Sequence, residues 1–209
     1  MTRSLIALAA FALLVVLAPH PARADDQALE VDGRTFDRTI SVEHGDATHE
    51  LVATGKHKRK KFFFSIYAAV AYARQDLVEA LPADADDVGA VLLERGAPMR
   101  MHLKMLRGLD ATRITNGINE ALEKTATRPL EEIADERARF VELFDGELDE
   151  DQSLVMTWLP DAGLEIRIDE EVLDTIPGDD FARAFFEIYF GPKPIDDGMK
   201  EDLLEEIEA

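Results

Sequence analysis

The sequence contains no cysteine. That excludes disulfides, thiol nucleophiles, Cys-ligated zinc, iron–sulfur clusters and lipoprotein anchoring, and by itself does not fix the redox compartment. Cations are scarce: 23 Lys and Arg stand against 43 Asp and Glu, a formal net charge of −20. A chain this acidic is a poor general nucleic-acid binder, because phosphate contacts need a surplus of Lys and Arg. Also missing are a Gly-x-Ser-x-Gly elbow, a Walker loop, a glycine-rich dinucleotide turn and a His-Glu-x-x-His helix. Asp84 to Gly89 has a faint look of a calcium loop. Val88 stands where an oxygen ligand is needed, and Arg95 stands where the closing Glu would be. No metal and no cofactor are therefore expected.

What is present is enough for a folded domain. Hydrophobic residues make up 46% of the 209, well above the range of disordered chains. The first 24 residues read as an export signal. Arg3 is a positive start, Leu5 to Ala18 is an apolar run, and Ala22-Arg23-Ala24 is a small-x-small cleavage site. The run is shorter than a spanning helix requires. Cleavage after Ala24 removes two cations, which takes the charge from −20 to −22. A single domain over residues 25–209 is expected, periplasmic or secreted, without stable membrane insertion once the signal is cut.

Residues Leu29 to Ile40 read as strand with a turn at Asp32-Gly33, and Phe62 to Tyr72 as a strand buried on both faces. One or two short helices fit residues 76–94, separated at Pro82. Met99 to Leu106 alternates as a half-buried strand. Asp110 suits the cap of a helix to about Lys124, and Pro129 the first turn of another. Ser153–Leu159 and Leu164–Ile168 form a hairpin. A short strand Val172–Ile176, a helix from Pro177-Gly178-Asp179 and a last helix over Asp196–Ile207 complete the chain. Strands and helices without regular βα alternation predict one α+β domain.

The local charge anomaly is Lys56-His57-Lys58-Arg59-Lys60-Lys61, five cations in six residues. Three readings fit it: a solvated strand end with gatekeeper charges, an anion site at the mouth of an apolar cavity, or a polybasic membrane patch, which the surrounding acidity disfavours.

These same residues carry a resemblance. Gly55 through Tyr72, Met101 through Arg107, the helix with Ile118-Asn119-Glu120, Ile176 through Phe181 and Phe190 through Ile195 together resemble bacterial chalcone isomerase-like proteins. The resemblance spans about residues 28–206. It implies an open-faced β-sandwich, a large antiparallel sheet with a layer of helices on one side and a ligand cleft between them. Plant enzymes of this fold cyclise chalcones without a cofactor, and related plastid proteins bind fatty acids through an Arg and a Tyr. Carried over residue by residue, Arg59 resembles the shared Arg, Tyr67 the Tyr of the fatty-acid binders, and Asn119 the enzyme's cleft Asn. Ile188 falls where the enzyme has a polar Thr, and cyclisation needs donors there; no catalytic residue is assigned.

Arg59 and Tyr67 are eight residues apart. On one regular strand they would share a face about 26 Å apart, so convergence requires a bulge or bend, or a different cation such as Lys61 or Arg107. Three functions follow from the resemblance: an exported binder of a fatty acid or similar small apolar carboxylate, an intramolecular lyase of the chalcone isomerase type, and a non-catalytic interaction protein with a filled cleft.

Overall fold

A computed structural model describes residues 28–96 and 98–207; the predicted export signal over residues 1–24 lies outside them. The described chain begins with a small hairpin, β1 (Leu29–Val31) and β2 (Arg34–Phe36), turned by Asp32 and Gly33, both at positive φ. That is the two-residue turn the Asp-Gly pair favours.

The main sheet has seven strands: β3 (Thr39–His44), β4 (Ala47–Lys61), β5 (Phe64–Arg74), β6 (Met99–Met105), β9 (Ser153–Leu159), β10 (Gly163–Ile168) and β11 (Glu171–Pro177). Their order is β11-β10-β9-β6-β5-β4-β3, with every neighbouring pair antiparallel. A separate two-residue pair, β7 (Leu109–Asp110) and β8 (Glu147–Leu148), ties the loops at one end. The helices are α1 (Gln75–Glu79), α2 (Val88–Arg95), α3 (Ala111–Thr125), α4 (Ala134–Glu142) after a 3-10 turn at Leu130–Ile133, α5 (Asp179–Phe190) and α6 (Asp197–Leu204). This is the expected α+β open-faced β-sandwich.

The two faces of the sheet bury different things. The helix-side core joins Met99, Met101, Leu103 and Met105 to Trp158 and the phenylalanines of α5. The alternation read along β6 is realised, with those four methionine and leucine side chains buried and the residues between them half-buried. Helix α5 is apolar nearly all round because it lies inside this layer. The opposite face is covered over β3–β5 by the first hairpin, where Leu29, Val31 and Phe36 pack on Leu51, Val70 and Tyr72. The Tyr72 hydroxyl donates to the Asp37 carbonyl at 2.8 Å.

Two features set the geometry of the site. At Gly55, β4 meets the C-terminal end of α6. A Cβ there would sit 2.2 Å from the Asp202 carbonyl oxygen, and the neighbouring Thr54 hydroxyl donates to the Leu203 carbonyl at 2.8 Å. The second feature corrects a sequence expectation. Phe62 to Tyr72 is not one strand buried on both faces. Ala68 to Ala73 are, at 0–1% exposure, but Phe62, Phe63 and Phe64 are 87%, 99% and 59% exposed. Phe62 and Phe63 form the two-residue loop of a hairpin between β4 and β5, with Phe62 at φ 56°. Such loops favour Gly and Asn, and a bulky residue at positive φ is strained by about 1–3 kcal/mol.

Candidate functional site

The hairpin brings Arg59 and Tyr67 together. They are cross-strand partners, directly opposite on β4 and β5, at the spacing of about 5 Å that such partners have. The bend required between them is thus a complete chain reversal. A register shift lies immediately beyond, between Arg59 and Lys60, and leaves Ile66 as the extra residue.

The basic run alternates across the sheet. His57 and Arg59 face the helices, with His57 Nδ1 2.7 Å from Asp202 Oδ2 and Arg59 Nη1 donating to Asp196 Oδ2 at 3.2 Å. Lys58 faces the other side and donates to Asp32 at 2.8 Å. One charge run therefore clamps α6 on one face and the first hairpin on the other.

Arg59 and Tyr67 stand in the wall of a cavity of about 640 Å³ between the sheet and helices α3, α5 and α6, a size ordinary for a small-molecule site. Its interior is apolar: Leu103, Met105, Phe140, Met156, Phe185 and Ile188 line it. The wall also carries polar groups: Lys61 and Arg107 beside Arg59, and Arg113, Asn116 and Glu120 from α3. The Arg107 guanidinium lies 4.9 Å from the centre of the Phe64 ring.

Tyr189 of α5 belongs to this group, and the sequence reading missed it. Burial pushes the Tyr67 phenol up to about 12, against the opposing pull of Arg59 and of the Tyr189 hydroxyl beside it. Burial likewise raises Tyr189 well above 10. Both phenols are therefore neutral donors at any physiological pH. The signal for Tyr189 was a lone hydroxyl on an otherwise apolar helix face. Asp196 was also missed. It caps α6 through the Met199 N–H at 3.1 Å while holding Arg59, and those two partners keep its carboxyl below the usual range.

Asn119 is not in the cavity wall. Its side-chain oxygen accepts from Arg137 at 3.2–3.3 Å, and Asn116, one turn earlier on α3, lines the cavity instead. Ile188 does line the cavity and offers no donor. Among the described residues, no group of three His, Asp or Glu side chains could hold a metal ion.

Comparisons with known proteins agree with this architecture. A family model described as chalcone isomerase-like matches residues 28–205. Among solved structures, a fatty-acid binding protein of Arabidopsis thaliana superposes with a TM-score of 0.68. The match covers 87% of this chain and 98% of that one, at 20% identity, and shows the same fold. No curated protein matches. The family match covers most of the chain, which belongs to the chalcone isomerase-like family.

Proposed function

We propose that this member of the chalcone isomerase-like family is an exported binder of a fatty acid or similar apolar carboxylate. The head group lies between Arg59, Tyr67 and Tyr189, and the tail lies among Leu103, Met105, Met156 and Phe185. The observation that carries this reading is the Arg59–Tyr67 pairing in the wall of a mostly apolar cavity. A guanidinium and a neutral phenol on one face suit a carboxylate, which accepts both a two-pronged charged bond and a neutral one. Each buried methylene contributes about 0.8 kcal/mol, so the tail supplies most of the affinity and the head group fixes direction.

The Arabidopsis relative of the same fold is itself a fatty-acid binding protein, which supports the ligand class. Ile188 in the wall supports binding without cyclisation, since a site that turns over a chalcone needs donors on the developing charge. Export rests on the pattern of residues 1–24. Native mass spectrometry of protein recovered from its own host tests ligand and export together. The expected species begins at Asp25 and carries one long-chain acid. A species without any bound small molecule, in every preparation, contradicts the ligand class.

A further inference from the structure

Among the described residues, five large hydrophobic side chains are exposed, and three of them are the consecutive Phe62, Phe63 and Phe64. They form the tip of the β4–β5 hairpin, and Phe62 and Phe64 also line the cavity. Phe62 holds a positive φ at a place where Gly or Asn folds more easily. Lys60, Lys61 and Arg107 surround the tip. Among the described residues none of the three has a carboxylate within 4.0 Å, whereas Lys58 and Arg59 are paired with Asp32 and Asp196. The acidic loop behind the end of β6 is partly neutralised, since Arg34 pairs with Glu150 at 3.3 Å and Asp151 at 2.6 Å.

We propose that this hairpin tip docks on an anionic bilayer surface, its phenylalanines entering the interface while Lys60, Lys61 and Arg107 meet lipid phosphates. An apolar tip ringed by cations is complementary to an anionic interface, where rings leave water and each cation adds attraction. The rest of the molecule is acidic and is repelled, so the tip alone points at the membrane. A second copy of the chain is a poorer occupant. It carries the same strongly negative net charge, and a two-residue loop offers far less than the area of a stable dimer. The docked tip places the cavity mouth at the interface, where an apolar acid resides. This deepens the carboxylate-binding reading by naming the source of the ligand, but docking is measured with no ligand present.

The test is co-sedimentation of the exported protein with vesicles of 30% phosphatidylglycerol in phosphatidylcholine, and with phosphatidylcholine alone. Phe63→Ser and Lys60→Glu are the variants, because neither residue lines the cavity. Wild type is expected to bind the anionic vesicles and to leave them in high salt. Phe63→Ser should weaken that binding about tenfold, and Lys60→Glu about fivefold. Both should bind a soluble fluorescent fatty acid as wild type does. Equal sedimentation of wild type and Phe63→Ser overturns the proposal, as does absence of wild type from the anionic vesicles. A shift from dimer to monomer in Phe63→Ser, with vesicle binding unchanged, also overturns it and assigns the tip to self-association. Loss of fatty-acid binding with vesicle docking intact would instead count against the cavity reading alone.

Discussion

Arg59 and Tyr67 face each other across the β4–β5 hairpin, eight residues apart in sequence and one strand spacing apart in space. The pairing exists because the chain reverses at Phe62-Phe63, and it turns a solvated charge run into a cavity wall. Arg59 is not idle there. It already holds Asp196, so any ligand carboxylate shares the guanidinium with that side chain.

Asp196→Asn separates the two duties of Asp196. Asn keeps an N-cap acceptor for Met199 but loses the charge that competes for Arg59. An exposed ion pair of this kind is worth about 0.2–1 kcal/mol. Fatty-acid affinity should therefore rise roughly 1.5- to 5-fold, with stability within about 1 kcal/mol of wild type. A fall in affinity would mean that Asp196 positions Arg59 rather than competing for it.

The chain's three tyrosines, Tyr67, Tyr72 and Tyr189, are all raised by burial, Tyr67 to about 12. The unfolded phenol ionises near 10. A folded value above the unfolded one means stability is intact below pH 10 and declines as pH rises toward 12. Absorbance at 295 nm should show no phenolate in the folded protein up to about pH 11, then joint ionisation with the loss of circular dichroism. A phenol titrating near pH 10 in the folded state would contradict the desolvated setting of Tyr67.

Much of this architecture was legible in the sequence because it follows from local physics. The period-two burial of Met99 to Met105, the Asp110 cap, whose carboxylate accepts from the Thr112 N–H at 2.9 Å, and the Asp32-Gly33 turn each depend on residues close in sequence. The β4–β5 reversal was not legible. Its loop is two phenylalanines, which carry no turn signal, so the aromatic run read as one strand. Asn119 came from the resemblance alone, and a match along a helix leaves its register open by a couple of residues; the Asn119 side chain meets Arg137. Tyr189 and Asp196 required tertiary placement of α5 and the start of α6.

His102 lies in a half-buried site, edge-on to Phe36 with ring centroids 5.0 Å apart and 3.0 Å from the Ser153 hydroxyl. Burial, with Lys104 and Arg100 on the same strand, pushes its imidazole down to about 4. The unfolded value is about 6.5, so stability is full above that pH and is lost as pH falls from 6.5 to 4. The loss should approach about 3 kcal/mol at pH 4. Urea unfolding at pH 7 and pH 4.5 should show it, and His102→Gln should flatten the dependence. An equal slope in that variant would place the acid sensitivity elsewhere.

Gly55→Ala should loosen α6. The added methyl meets backbone of Asp202 and Leu203, at 2.2 Å and 2.4 Å, so a side-chain adjustment cannot relieve it. Overpacking of this kind costs about 1–3 kcal/mol, equivalent to roughly 2–12 °C in melting temperature. A wild-type melting temperature would show that α6 does not seat on β4 at this point.

In the proposed function, Arg59 receives the head group of an apolar acid whose tail fills the cavity. The most direct measurement is a pair of titrations, a long-chain fatty acid and its methyl ester, on wild type and Arg59→Ala. A charge-assisted bond is worth about 1.5–3 kcal/mol. Wild type should prefer the acid, Arg59→Ala should weaken the acid roughly 10- to 150-fold, and the ester should be nearly unaffected. Tyr67→Phe should lose less, since it removes one neutral donor and keeps the ring. Equal binding of acid and ester by wild type, or acid binding by Arg59→Ala at the wild-type level, would contradict it.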